Sequence, residues 1–542
     1  MREPVVRLLA SALVVAFCVA LASGALSRTA VAQSKGGRQL SSVRDLAVAL
    51  QNESVGGPFT SVCVSSAAFG ANVMANCDST RLPHNETSIA VDPNDATHLV
   101  GGSNDTELPP SGASGSAKSV AGYYTSFDGG DSWLNGQVPA GKFTQTGDPT
   151  IGFDAQGNVY YGVVAFDLGG LGGLALGGAI QISRSSDGGR SFGAPVVIEQ
   201  STSPTAVFED KPYLAVDTSA TSAFRNSVYM TWARFHFTRS FTYLESPIFF
   251  AASRDGGQTW SLPQEISGAN RAICTFSGTP LAYDGRCKED QFASPVVAAD
   301  GTILVAFENT QAVDDGQFRS QYLLVRSRDG GATWSAPVRA SDVLRDGVND
   351  YPINVNGRQT LSNSQFRVNS AGNLAIHSAS GALHIVWSDN RNGTADATNT
   401  DVFVVSSTDG GTTWSRPAAV SRSRNDQFYP WAAVAPDGTL NVMYMDRSYD
   451  RGNSRYGITL SRRAFGASTF SGQRIDTGLS DPNHARWFAG STGGETTFLG
   501  DYNGLAVGSD GVAHPLWTDM RRLVTVNGAS GTNEDIFTVA VP

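Results

Sequence analysis

Apolar positions along this chain come in short bursts, and the bursts come in pairs. A short apolar run ends in a turn. A second run follows, usually with an aromatic residue near its end. Runs of this length, alternating and bounded by Gly, Asp, Asn and Pro, predict β-strands. The pair recurs at 88–92 with 98–100, 150–154 with 158–161, 213–217 with 227–232, 295–298 with 302–307, 374–376 with 382–387, 431–434 with 439–444 and 504–507 with 512–517. Units of about 65 residues that repeat across a chain predict a stacked or circular array.

Between the pairs stands a second repeated element. Ser407-Thr-Asp409-Gly410-Gly411-Thr-Thr413-Trp414 has near copies at Ser126–Trp133, Ser185–Phe192, Ser253–Trp260 and Ser327–Trp334, starting 59, 68, 74 and 80 residues apart. A frayed sixth copy runs from Ser461 to Phe470. The adjacent glycines permit the positive φ of a hairpin turn. Ser and Asp side chains can bind turn backbone, and the terminal aromatic packs the turn on its sheet. Each such hairpin adds two strands to its unit.

Four strands in each of seven units predict an all-β, seven-bladed β-propeller. The last unit lacks a fourth strand, and the segment 59–65 is expected to supply it and close the ring. The repeated turn resembles the Asp-box, or BNR repeat, of sialidases and related propellers. The resemblance spans 59–542 and implies a sialidase-like propeller, with six blades as the alternative if the first or last unit is irregular.

The N-terminus changes the picture of the compartment. Arg2 and Arg7 precede an apolar stretch over 8–22, and Ala30-Val-Ala32 precedes Gln33. This predicts a signal peptide over 1–32, too short to span a membrane, followed by a flexible arm over 33–58. Loss of Arg2, Arg7, Arg28 and Glu3 leaves 36 basic against 48 acidic side chains, a net charge of −12. That argues against nucleic acid or anionic lipid as a partner. Cys63, Cys77, Cys274 and Cys287 form two close pairs in the exported chain, which predicts two local disulfides. A metal site is the alternative reading, but no His stands at ligand spacing beside either pair. No metal or other cofactor is expected. The expected location is extracellular or periplasmic, and the chain is expected to be monomeric.

Connectivity predicts which face carries chemistry. The A–B turns and the repeated C–D turns lie together. The opposite face holds the starts of the A strands, the ends of the B strands and the long insertions 106–119, 168–178, 267–289, 341–365 and 391–400. Loops of that kind usually bind. At the starts of A strands stand Glu86, Asp148, Asp210, Asp290, Asp426 and Asp501. After B strands stand Asp105, Asp167, Arg234, Glu308, Asp389, Arg391, Asp446, Arg447, Asp519 and Arg521. Carboxylates in pairs suit acid–base work on a glycoside, and arginines suit an anionic sugar. Any one Asp/Arg pair, taken alone, reads rather as a structural ion pair repeated with the blade, while the ring as a whole is equally readable as a functional site.

Sialidases use an arginine triad, a Tyr nucleophile paired with Glu, and an Asp acid/base. By resemblance the triad falls on Arg391, Arg447 and Arg521, with Asp389, Asp446 and Asp519 beside them. The nucleophile falls on Tyr502 or Tyr429, its partner on Glu308 or Glu209, and the acid/base on Asp501 or Asp148. Where the family carries F-R-I-P, this chain has Arg81-Leu-Pro83. The sequence contains no G-x-S-x-G and no H-E-x-x-H. The Gly-rich loop 169–178 lacks the Lys-Ser/Thr of a phosphate cradle. The implied function is a sialidase-like glycoside hydrolase of the exo-α-sialidase type acting on extracellular glycans. A non-catalytic propeller that binds glycan or protein is the alternative.

Overall fold

In the computed structural model the described residues run from 63 to 542, apart from 78–80, 108–117, 169–174, 202–206, 239–241, 276–283, 313–317, 342–352, 356–357, 395–396, 489–496 and 527. The predicted signal peptide and arm lie outside them.

Seven antiparallel sheets of four core strands follow one another along the chain. Strands A to D of blade 2, for example, are Gln145–Phe153, Val159–Leu168, Ala175–Ser185 and Val196–Gln200. Each blade buries an apolar face against the next. Val100 and Tyr161 pack in the seam of blades 1 and 2, Ile180 and Met230 in that of 2 and 3, Phe250 and Val305 in that of 3 and 4. Leu324 and Leu383 join blades 4 and 5, Val404 and Val442 blades 5 and 6, and Leu460 and Trp517 blades 6 and 7. Ile89, Trp133 and Leu516 then join blade 7 back to blade 1. Seven apolar seams close the ring, so the architecture is a seven-bladed propeller rather than a six-bladed one.

The ring is latched by a different strand from the expected one. Asn72–Met74 supplies the fourth strand of blade 7, with Val73 opposite Thr538 and Met74 opposite Phe537. Ala75 N–H and the Asn76 side chain extend the pairing to Ile536. Cys63–Ser65 instead adds an outer strand to blade 1, against Trp133–Gln137; residues 59–62 lie outside the described chain. The sequence pattern marked a strand near the right place. Pairing is set by where the intervening hairpin turns, at Gly70 with φ 66°.

The repeated turns do more than bend their own strands. In blade 5, Asp409 accepts hydrogen bonds from the Thr413 amide at 2.9 Å and its hydroxyl at 2.6 Å. Ser407 Oγ accepts from Gly411 N–H at 3.0 Å, and the Trp414 indole donates to Gly411 O at 3.1 Å. The second glycine also docks on the preceding blade. A Cβ at Gly411 would stand 2.1 Å from Leu324, and one at Gly331 would stand 2.3 Å from Phe250. The turns therefore bolt neighbouring blades together.

Cys274 and Cys287 form a disulfide across blade 4's insertion, and Cys77 is also disulfide-bonded. No described helix is long and apolar enough to cross a membrane.

Candidate functional site

A β-bulge recurs at the same place in five blades. Ladder register shifts between Asn85 and Ser88, Gly147 and Thr150, Asp210 and Tyr213, Gln291 and Ser294, and Phe428 and Trp431. Within each bulge one non-glycine residue takes the left-handed conformation: Glu86 (φ 58°), Asp148 (55°), Lys211 (44°), Phe292 (55°) and Tyr429 (50°). Such a conformation costs on the order of 1–3 kcal/mol and tends to cluster where side chains must be aimed. Here the bulges lie where the A strands begin, around the central funnel. Tyr502, two residues before Gly504–Val507, occupies the corresponding position in blade 7.

Blades 7, 1, 2 and 3 thus contribute Tyr502, Glu86, Asp148 and Lys211 to one arc. The Tyr502 hydroxyl lies 3.2 Å from Asp148 Oδ1 and 3.4 Å from Glu86 Oε2. Asn104 Nδ2 donates to Glu86 Oε2 at 2.7 Å, and Asn104 Oδ1 accepts from Asp148 N–H at 2.8 Å. One amide therefore holds both carboxyl-bearing bulges in register. Lys211 Nζ sits 3.4 Å from the centre of the Tyr502 ring and 4.5 Å from that of Tyr213. Tyr213 stacks against Trp431 at 6.2 Å with 15° between planes, and Trp431 lies 6.3 Å from Tyr502. Trp431 and Asp148 keep exposed surface while Glu86 and Tyr502 are buried beneath them.

Asp501 faces the same arc, chelated by Arg367 through Nε at 3.0 Å and through Nη2. Arg367 ends the strand Ser364–Arg367, part of a hairpin inserted ahead of blade 5. Its carbonyl accepts from the Tyr429 hydroxyl at 2.8 Å. Asp210 is the fourth carboxylate of the group.

Burial and mutual repulsion set the proton inventory. Glu86 is raised well above the ordinary carboxylate range by burial, then by the charge and hydrogen bond of Asp148 and the charge of Asp501, with Lys211 opposing. Asp210 is raised well above it by burial and by Asp148 and Asp501, against Arg367 and Lys211. Lys211 is pushed down to about 8 by burial, against the pull of Asp148, Glu86, Asp210 and Asp501. The Tyr502 phenol is raised by burial, then by Glu86 and Asp148. Glu86 and Asp210 thus hold their protons more tightly than ordinary carboxyls, a property a general acid requires.

Of the residues named from sequence, Tyr502, Asp501, Asp148, Glu86 and Asp210 come together here. The others stand in pairs of their own. Arg391 grips Asp389 at 2.6 Å, and Arg521 grips Asp519 at 2.6 Å. In both, the carboxylate also accepts from the indole two residues upstream, Trp387 at 2.8 Å or Trp517 at 2.9 Å. Arg447 is fully buried beside Asp426 at 3.3 Å, with Phe366 and Phe428 each 5.5 Å from its guanidinium. Asp446 accepts from Thr459 Oγ1 at 2.7 Å and Ser448 N–H at 2.8 Å. Glu308 lies half-buried on the second strand of blade 4, opposite Gln291, where desolvation pushes it up to about 7. Glu209 accepts from Trp232 at 2.6 Å and Arg234 at 2.8 Å, and burial likewise raises it to about 7. Arg81 is exposed and donates to Thr525 O at 3.0 Å.

Sequence reasoning passed over Lys211, Arg367, Asn104, Tyr213 and Trp431. Lys211 had a usable signal: Asp148-Pro149, Lys211-Pro212 and Tyr429-Pro430 align at the strand starts. Arg367 had none, because its hairpin interrupts the repeat. Among the described residues no group of three His, Cys, Asp or Glu side chains is placed to hold a metal ion.

No family model matches this sequence, and no curated protein matches it. Solved propellers resemble its fold. The intramolecular trans-sialidase of Ruminococcus gnavus aligns with a TM-score of 0.41 at 13 % identity, over 73 % of this chain and 94 % of that one. The NanB sialidase of Streptococcus pneumoniae aligns at 0.41 and 9 %, over 87 % and 95 %. The α-L-arabinofuranosidase of Fusarium graminearum aligns at 0.41 and 12 %, over 74 % and 95 %.

Proposed function

We propose that this chain is an exported glycoside hydrolase of sialidase type, with its active centre on the arc of Tyr502, Glu86 and Asp148. The observation that carries the reading is one phenol oxygen within hydrogen-bond reach of two carboxyl groups, Glu86 and Asp148.

In this mechanism Asp148 takes the phenol proton as Tyr502 Oη attacks the anomeric carbon. The glycosidic C–O bond breaks, and the leaving oxygen takes its proton from Glu86. Water then attacks the same carbon and gives a proton to Glu86, while Tyr502 leaves and regains its proton from Asp148. Asn104 fixes the spacing of the two carboxyls. Trp431, half-buried and backed by Tyr213, offers an aromatic surface on which a sugar ring can stack. Lys211 and Arg367 supply the positive charge of the arc. Disulfides and a leader-like N-terminus support work on extracellular glycans.

The pairing of Arg391, Arg447 and Arg521 with carboxylates of their own blades favours a second reading, a propeller that binds glycan without cleaving it. Hydrolysis of a fluorogenic sialic-acid glycoside, with the first-formed sugar followed by proton NMR, separates the two. Cleavage with retained anomeric configuration is expected. Inversion would remove Tyr502 as nucleophile. No cleavage, with retention on a glycan array, would establish the binding reading instead.

A further inference from the structure

We propose that Lys211 is the residue that makes Tyr502 reactive, by placing a positive charge on the face of its ring. Lys211 touches no reacting atom in this scheme and is a positioning residue acting through Tyr502. The inference rests on the reading of Tyr502 as nucleophile.

A buried phenol among carboxylates is a poor nucleophile. Burial, Glu86, Asp148, Tyr213 and Asp501 all oppose its ionisation. Something must offset them as negative charge develops on the oxygen. That charge spreads into the ring, so a cation on the ring face stabilises phenolate more than phenol. Lys211 Nζ stands 3.4 Å from the ring centre, well inside the roughly 6 Å at which a cation and an aromatic face interact. Arg367, the other cation of the arc, is committed to Asp501.

The backbone is built to deliver this side chain. Lys211 is held at φ 44°, left-handed, in a bulge equivalent to those that deliver Glu86 and Asp148. Pro212 fixes the exit from the bulge. An unremarkable surface lysine would need neither the bulge nor the burial. The groups facing the ammonium are Glu86 from blade 1, Asp148 from blade 2, Asp210 on its own strand, Asp501 and Tyr502 from blade 7, and the ring of Tyr213. These carboxyls keep the ammonium charged at neutral pH, and burial makes it titrate near pH 8, so activation fades as pH rises through that value.

The test uses the full chain with a fluorinated tyrosine at position 502, which brings the phenol into an accessible pH range and gives a fluorine NMR signal. Lys211→Met is compared with Lys211→Arg and wild type, each checked for a native thermal transition. In Lys211→Met the phenol pKa is expected to rise by about 1–3 pH units, the usual effect of losing a neighbouring cation. On a fluorogenic sialoside, kcat should fall by about 10²–10³-fold with little change in KM, and the wild-type loss of rate above about pH 8 should vanish. Lys211→Arg should recover part of both effects. An unmoved phenol titration in folded Lys211→Met overturns the inference, whatever the activity. If wild type cleaves no glycoside while the phenol titration still shifts, the hydrolase reading fails and the Lys211–Tyr502 coupling stands.

Discussion

A Cβ added at Gly500 would stand 2.3 Å from Cγ of Glu86 and 3.0 Å from its backbone nitrogen. Gly500 also holds φ 85°. The absence of a side chain there lets the Asp501–Tyr502 segment lie against the first bulge. Gly500→Ala should therefore push Tyr502 away from Glu86. Strained substitution at such a site costs more than about 1 kcal/mol, and a displacement of about 1 Å at reacting groups can cost on the order of 10²-fold in rate. Chemical denaturation beside kcat measurement would check both.

Arg447 should matter for stability rather than for substrate. Its guanidinium donates to Ser362 O at 2.9 Å and Asn453 O at 3.1 Å as well as to Asp426. Arg447→Met leaves Asp426 buried without its cation, a loss of about 3–5 kcal/mol for pairs of this kind. The double variant with Asp426→Asn should regain a large part of it. Urea melts of the single and double variants would show this, with KM of the folded protein unchanged. A large rise in KM at unchanged stability would contradict the placement.

Stability should peak at mildly acidic pH. Burial holds Glu534 and Asp290 up at about 8, and Glu209 and Glu308 at about 7. Between the ordinary carboxylate range and those values the folded chain keeps protons that the unfolded chain has released, so the contribution of these four groups falls as pH rises and levels off above pH 8. The turn aspartates act in the opposite sense. The Thr259 hydroxyl and amide hold Asp255 down to about 2, so its contribution is lost as pH falls towards that value. Thermal midpoints across pH should be highest at roughly pH 4–5.

Glu534 tests that account alone. It accepts from Asn85 at 2.9 Å and Thr497 at 3.0 Å. Glu534→Gln keeps the shape of the protonated acid. It should raise stability at pH 8 by about 1–3 kcal/mol, the scale of one or two pKa units, and change it little at pH 5. Equal effects at both pH values would show that Glu534 is not protonated in the fold.

The architecture was legible because a propeller is written in repeats. Five copies of one turn and seven strand pairs specify blades wherever they occur, and the turn's Ser, Asp and second Gly each have a local physical reason. The funnel was half legible. Glu86, Asp148, Asp501 and Tyr502 sit at strand starts, and connectivity puts strand starts around the centre. What the pattern does not reveal is pairing. Arg391 and Arg521 read as free rim charges, yet each turns back on the Asp two residues before it. Arg367 reads as part of an irregular insertion, yet tertiary folding carries it to Asp501, 134 residues on. The latch strand was displaced for a similar reason: the choice between Cys63–Ser65 and Asn72–Met74 is made by a hairpin and by Asn72, whose side chain bonds Ile475 O at 2.8 Å.

The most direct measurement is the turnover of a fluorogenic sialic-acid glycoside by wild type and by Tyr502→Phe, at equal folded concentration. The substitution removes one oxygen and leaves the ring under Lys211 in place. Release by wild type, with kcat reduced by at least about 10²-fold in the variant, is the expected result. Equal release by both proteins would contradict the placement of the active centre at Tyr502.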